Sequence, residues 1–159
     1  SVKALNPPEI EFAVPDVDAL DITAEDIYRV YFHGPAYQVL EAVQVDGVQA
    51  IGLMASDLPP NSVPGGLDFP MAPRLIELCF QTAGVWEIRT KQRMGLPLAI
   101  GSVTTYRQPE DAAGKRLYAL ITAVEDGKQF DAQVVDEAGR VYVSMVGYRT
   151  VQLPDQVSL

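Results

Sequence analysis

The 159-residue sequence is 48% hydrophobic and has a formal net charge of −9, enough apolar content for one globular domain whose core needs no staple. Cys79 is the only cysteine, which excludes an intrachain disulfide framework and a cysteine zinc site and points to a reducing, cytoplasmic setting. The acidic balance argues against nucleic acid and anionic membranes as partners, and no apolar run approaches the roughly 20 residues of a membrane span.

The N-terminus has no basic flank followed by an apolar signal core, and a start at Ser1 rather than Met is expected of an excised domain or a tag remnant. Residues 1–21 carry prolines and acids around a short alternating patch at Ile10 to Val14 and predict a lead-in with a short strand at most. Thr23, with Asp26 three residues on, marks an N-cap, and Ile27, Val30 and Tyr31 recur at helical spacing, so a short helix is expected over "AEDIYRVYF", ending at Gly34-Pro35. "YQVLEAVQVDGVQAIGLMAS" reads as a hairpin turning at Asp46-Gly47, followed by a Pro- and Gly-rich loop, "DLPPNSVPGGLDFPM". Pro73 then opens the longest helical stretch, "PRLIELCFQTAGVWEIRTKQR", apolar around nearly its whole circumference and so buried over most of its length. The last third, "LAIGSVTTYRQ", "KRLYALITAVEDG", "KQFDAQVVD" and "RVYVSMVGYRTVQL", is rich in Val, Thr and Tyr and reads as an antiparallel meander. A sheet wrapped around one long helix is an α+β architecture, the hotdog fold. The predicted organisation is a lead-in at 1–21, a single hotdog domain at 22–153 and a tail at 154–159.

Glu77 and Gln81 are conspicuous in the apolar helix. Four residues apart, they share one face. A carboxylate on a helix wrapped by a sheet is desolvated, which raises its pKa and suits it to proton donation, with Gln81 to orient it. The same pair also fits a solvated stripe continuing through Gly84 and Ile88. His33, the one histidine, stands at a helix end before Gly-Pro, where a turn or capping role competes with that of a base. No ligand spacing suggests a metal, "VPGGLDFP" lacks the Lys-Ser/Thr of a P-loop, and Ser62, Ser102 and Ser144 lie in no nucleophile elbow. Tyr106, Tyr118, Tyr142 and Tyr148 fit sheet-face packing.

"HGPAYQ" resembles the "YGPxF(Q)" motif of polyketide synthase dehydratase domains, with His33 at the tyrosine position, Gly34 and Pro35 matching and Tyr37 in place of phenylalanine. "PRLIELCFQTAG" is similar to the later "HPALLDxxxQ" motif, with Pro73 and Gln81 in register and Glu77 where the family has its catalytic aspartate. These dehydratases are double hotdogs. The resemblance covers nearly all of residues 10–153 and implies the second, C-terminal hotdog, because the "HxxxGxxxxP" motif that carries the family's catalytic histidine is missing from this sequence. It further implies dehydration of a 3-hydroxyacyl thioester in polyketide or fatty acid biosynthesis, with Glu77 as the acid supported by Gln81. His33, Gly34, Pro35 and Tyr37 would shape the substrate pocket. Related bacterial fatty acid dehydratases also use glutamate in this role.

No cofactor is implied beyond the phosphopantetheine arm of an acyl carrier protein, which is one expected partner; the other is an N-terminal hotdog half or a second hotdog copy. "RTKQR" at 89–93 is the densest basic segment for docking an acidic carrier, and equally fits a solvated helix end. Two other readings stay open. One is a non-catalytic hotdog that supports a dehydratase or binds acyl chains. The other is a self-sufficient homodimer that pairs His33 of one subunit with Glu77 of its partner.

Overall fold

The computed structural model describes residues 6–61 and 71–159. Thr23 begins the first helix with a reciprocal cap: its hydroxyl accepts from the Asp26 backbone N–H, and the Asp26 carboxylate accepts from the Thr23 N–H. Helix α1 covers Ala24–Val30. The expected continuation to Gly34-Pro35 does not form, because Tyr31 is already extended at φ −90, ψ 136 and its ring packs inward beneath the chain rather than along the helix. Pro35 then opens a 3-10 turn, Pro35–Tyr37.

Strands β1 (Ile22–Thr23), β2 (Leu40–Asp46) and β3 (Gln49–Met54) follow the hairpin reading, with Asp46 opposite Gln49 and Gly47 at φ +58 in the turn. Part of the Pro- and Gly-rich loop, residues 62–70 with Ser62, lies outside the described residues. Helix α2 runs Pro73–Lys91 with Pro73 in its first turn, and every residue from Gln81 to Ile88 is buried. It stops where Gln92 turns left-handed at φ +51.

Beyond α2 the chain forms β4 (Arg93–Ala99), β5 (Ser102–Thr105), β6 (Leu117–Val124), β7 (Gln129–Asp136) and β8 (Val141–Gln156). The single strand expected from Leu98 is thus two, and the first begins inside "RTKQR". The break falls where two glycines meet: the Gly101 N–H donates to the Gly147 carbonyl at 3.1 Å, and a Cβ on Gly101 would lie 2.8 Å from the Val146 carbonyl oxygen.

The described strands form one antiparallel sheet in the order β1-β2-β3-β6-β7-β8-β4, with β5 also on β8. Side-chain alternation sets its two faces. Leu117, Ala119 and Ile121 of β6 join the core around α2, while Tyr118 and Leu120 face the other way, toward Ile10 and Phe12 of the lead-in. This is a hotdog fold: the sheet wraps α2 and carries the lead-in on its outer face. The lead-in is pinned to the β7–β8 turn by the Ile10 N–H to Gly139 carbonyl bond at 2.9 Å and the Val141 N–H to Pro8 carbonyl bond at 3.0 Å. At the other end, β8 continues through Gln156 and the Val157 N–H donates to the Gln92 carbonyl.

Candidate active site

The 3.6-residue helix repeat places Glu77 and Gln81 together on α2, and the early end of α1 brings the chain back over them. Gln81 is the centre of a fixed network. The Leu40 N–H donates to the Tyr28 hydroxyl at 2.8 Å, so the Tyr28 proton goes to Gln81 Oε1 at 2.6 Å. Gln81 Nε2 then gives its two hydrogens to the Tyr37 carbonyl at 2.8 Å and to Glu77 Oε1 at 2.9 Å. This order leaves no ambiguity about which end of the amide is nitrogen. Burial, with the nearby Glu77 charge adding to it and the Leu40 N–H opposing, pushes the Tyr28 pKa well above the ordinary phenol range, so it stays a donor.

His33 joins from the other side. Its Nε2 lies 3.0 Å from the same Glu77 Oε1, its ring meets Tyr31 edge-on at 5.4 Å, and its buried Nδ1 has no partner among the described residues. A hydrogen on Nδ1 would have no acceptor, so the neutral ring carries its hydrogen on Nε2 and donates to the carboxylate. Two donors therefore converge on Oε1, while Glu77 Oε2 takes no hydrogen bond from the described residues. The Glu77 side chain is 24% exposed and lines a cleft of about 390 Å³, together with His33, Gln81, Phe80, Tyr31 and Tyr148. Oε2 is the oxygen left to exchange a proton with a ligand there.

The structure brings Glu77, Gln81 and His33 together within one chain. Gly34, Pro35 and Tyr37 are not among the cleft's lining residues. They act through the backbone: the Gly34 carbonyl accepts from the Tyr37 N–H at 2.9 Å, and the Tyr37 carbonyl holds Gln81. Arg74, one turn before Glu77, clamps this loop through the Ala36 carbonyl at 3.0 Å and the Pro59 carbonyl.

Sequence reasoning passed over Tyr31, Tyr148 and Glu87. Tyr31 lay in the predicted helix and Tyr148 in the set assigned to sheet packing. Glu87 was hidden between Trp86 and Ile88, although a carboxylate in the middle of a buried helix was itself a signal. It is 0% exposed, with Oε2 paired to Arg93 Nε at 3.0 Å and Oε1 without a partner among the described residues. Burial pushes its pKa up against the opposing pull of Thr150 and Arg93. The cations of "RTKQR" each have an acidic neighbour: Arg93 turns in to Glu87, Lys91 pairs with Asp126 at 3.1 Å and the exposed Arg89 faces Asp21 at 3.9 Å. Burial pushes the Cys79 thiol up to about 12, too high for a nucleophile at neutral pH. No cluster of metal-binding side chains occurs among the described residues, and no helix among them is long and apolar enough to cross a membrane.

The family profile described as "Polyketide synthase dehydratase N-terminal domain" matches residues 15–159. The chain belongs to the polyketide synthase dehydratase family. Solved dehydratase domains share the hotdog architecture of this family member. The dehydratase domain from the CurF module of curacin polyketide synthase is 20% identical, with a TM-score of 0.67 over 93% of this chain and 54% of its own. A trans-AT polyketide synthase dehydratase domain from Brevibacillus brevis is also 20% identical, with a TM-score of 0.70 over 94% and 55% of the two chains. For the dehydratase domain of a mycocerosic acid synthase-like polyketide synthase the values are 20%, 0.65, 94% and 56%. The present dehydratase-family chain thus spans about half the length of the structures it matches. No curated protein matches it in sequence.

Proposed function

We propose that this chain is the C-terminal hotdog of a 3-hydroxyacyl-carrier-protein dehydratase, with Glu77 as the general acid. The observation that carries the reading is the two-donor grip on Glu77 Oε1, which leaves Oε2 unbonded at the cleft. In the elimination, a base removes the α-proton and the Cα–H electron pair becomes the Cα=Cβ bond. The Cβ–O bond breaks as Glu77 Oε2 passes its proton to the departing oxygen, which leaves as water. Two solved variants of a CurK dehydratase, one altered at a histidine and one at an aspartate, are described as inactive, and Glu77 stands for the carboxylic member of such a pair. The histidine would come from the other hotdog half, and the substrate from the phosphopantetheine arm of a carrier protein. Although the matching profile is described by the N-terminal domain, assignment to the second half rests on the Gly34-Pro35 and Glu77-Gln81 motifs and on the roughly half-length match.

Glu77→Gln keeps the Oε1 acceptor for His33 and Gln81 and removes only the proton-carrying oxygen. Turnover of a 3-hydroxyacyl thioester by the chain joined to its other half should fall about 10²- to 10⁴-fold. Unchanged turnover would show that Glu77 is not the acid. One observation favours a second reading. His33 and Glu77 meet inside one chain at 3.0 Å, so a single hotdog holds a candidate base and acid without the cross-subunit pairing of the homodimer reading, provided the His33 ring turns to free a nitrogen. Substantial hydration or dehydration by the 159-residue chain alone would select it.

A further inference from the structure

We infer that the cleft has a second polar station, beyond the Glu77 end, that binds a neutral oxygen substituent on the acyl chain; the inference rests on the thioester reading above. Its first member is Tyr31. A Cβ on Gly84 would lie 1.9 Å from the Tyr31 hydroxyl, so the absence of a side chain there is what lets the phenol reach across α2. Gly84 is seven residues beyond Glu77, about 10 Å along the helix axis.

Tyr148 is the second member. It is 3% exposed, its ring lies 4.7 Å from that of Phe80, and it lines the same cleft as Tyr31. Neither hydroxyl has a hydrogen-bond partner among the described residues. The two are near enough to each other and to Glu77 and Glu87 for these charges, after burial itself, to push both pKa values far above neutral. Both are therefore donors in want of an acceptor.

The third element is Glu87. Gly95, a cleft-lining residue, comes so close that a Cβ on it would lie 2.6 Å from Glu87 Oε1. This carboxylate, sealed just behind the wall, is paired to Arg93, so the wall offers an anionic ligand no free cation. Two phenol donors beside such a wall are complementary to a neutral oxygen with free lone pairs, a hydroxyl or a keto group. A plain alkyl chain would leave both donors unpaired. The station therefore selects oxygenated acyl chains over saturated ones, a substrate class the Glu77 end cannot distinguish.

The test is equilibrium binding, by calorimetry, of pantetheine thioesters of one chain length to the 159-residue chain. One thioester carries a plain alkyl tail and the others a single hydroxyl or keto group moved along that tail. One position should bind roughly 3- to 10-fold tighter than the alkyl thioester. Tyr31→Phe and Tyr148→Phe should each reduce that gain, and the double variant should abolish it. Equal affinity for all the thioesters would mean that the station holds ordered water only, and a gain that persists in the double variant would place recognition elsewhere. Either result overturns the inference while leaving thioester binding intact. If no thioester binds, the inference falls together with the proposed function.

Discussion

Gly52→Ala tests whether the spacing between α2 and the sheet is fixed by contact. Gly52 pairs with Val43 and Ala119 in the middle of the sheet, and an added Cβ would stand 2.1 Å from Thr82 Oγ1, 2.8 Å from Leu40 Cδ2 and 3.0 Å from Thr82 Cγ2. Thr82 is fully buried and its hydroxyl is tied to the Leu78 carbonyl at 2.7 Å, so the nearest atom has nowhere to rotate. Overpacking of this kind costs about 1–3 kcal/mol, while the gain from a stiffer unfolded chain returns about 0.4–1 kcal/mol. The net expectation is a loss of about 1–2 kcal/mol. Thr82→Ala alone forfeits a buried hydrogen bond of about 1 kcal/mol and a methyl of similar value. In the double variant two of the three close atoms are gone, so the substitutions should rescue each other by about 1–2 kcal/mol. Urea unfolding of the four proteins, with free energies taken by linear extrapolation, measures this coupling. Additivity within about 0.5 kcal/mol would refute the claim that Thr82 and Gly52 set the spacing.

Glu87 makes a pH prediction: its pKa is raised in the fold from an ordinary value of 4.5, so the folded state binds more protons and its contribution to stability falls as pH rises above that value. Glu87→Gln should remove this part of the slope when unfolding free energies of the two proteins are compared across about pH 4–8; parallel curves would contradict it. His33→Tyr places the family's residue beside Glu77 and should leave activity with the other hotdog half within about tenfold, whereas a loss of a thousandfold or more with folding intact would make His33 the base of the single-hotdog reading. The outer edge of β4 exposes Leu98 at 64%, and the chain alone should associate through it; Leu98→Lys should shift light-scattering mass toward monomer, and a wild-type monomer would refute the edge argument.

The two helices, the Asp46-Gly47 hairpin and the meander were legible because each is encoded locally, by a cap, a turn pair or a period. Where reading failed, the deciding contact was remote. Nothing near Tyr31 announces that it leaves the helix, because the space that receives it is the missing side chain of Gly84, 53 residues away. Nothing near "RTKQR" announces a strand, because Arg93 is drawn inward by the Glu87 carboxylate and β4 is completed by β8. The Glu77–Gln81 pair was legible from helical spacing, but its grip was not. The Tyr28 hydroxyl and the Tyr37 carbonyl that fix the amide come from α1 and the turn after it.

Glu77 and Glu87 show why residue type and spacing alone could not finish the site. Both are carboxylates on one buried helix, ten residues apart, and a sequence offers the same argument for either as an acid. What separates them is the supply of partners. Glu87 meets a guanidinium from the following strand and is sealed at 0% exposure, so it links α2 to β4 and has no path to a ligand. Glu77 meets an amide and an imidazole, both on one oxygen, and stays 24% exposed at the cleft. A general acid needs one oxygen held and the other reachable. Position 77 meets that requirement and position 87 does not, so under the proposed function the strand or turn that closes over each carboxylate decides which of the two could serve as the acid.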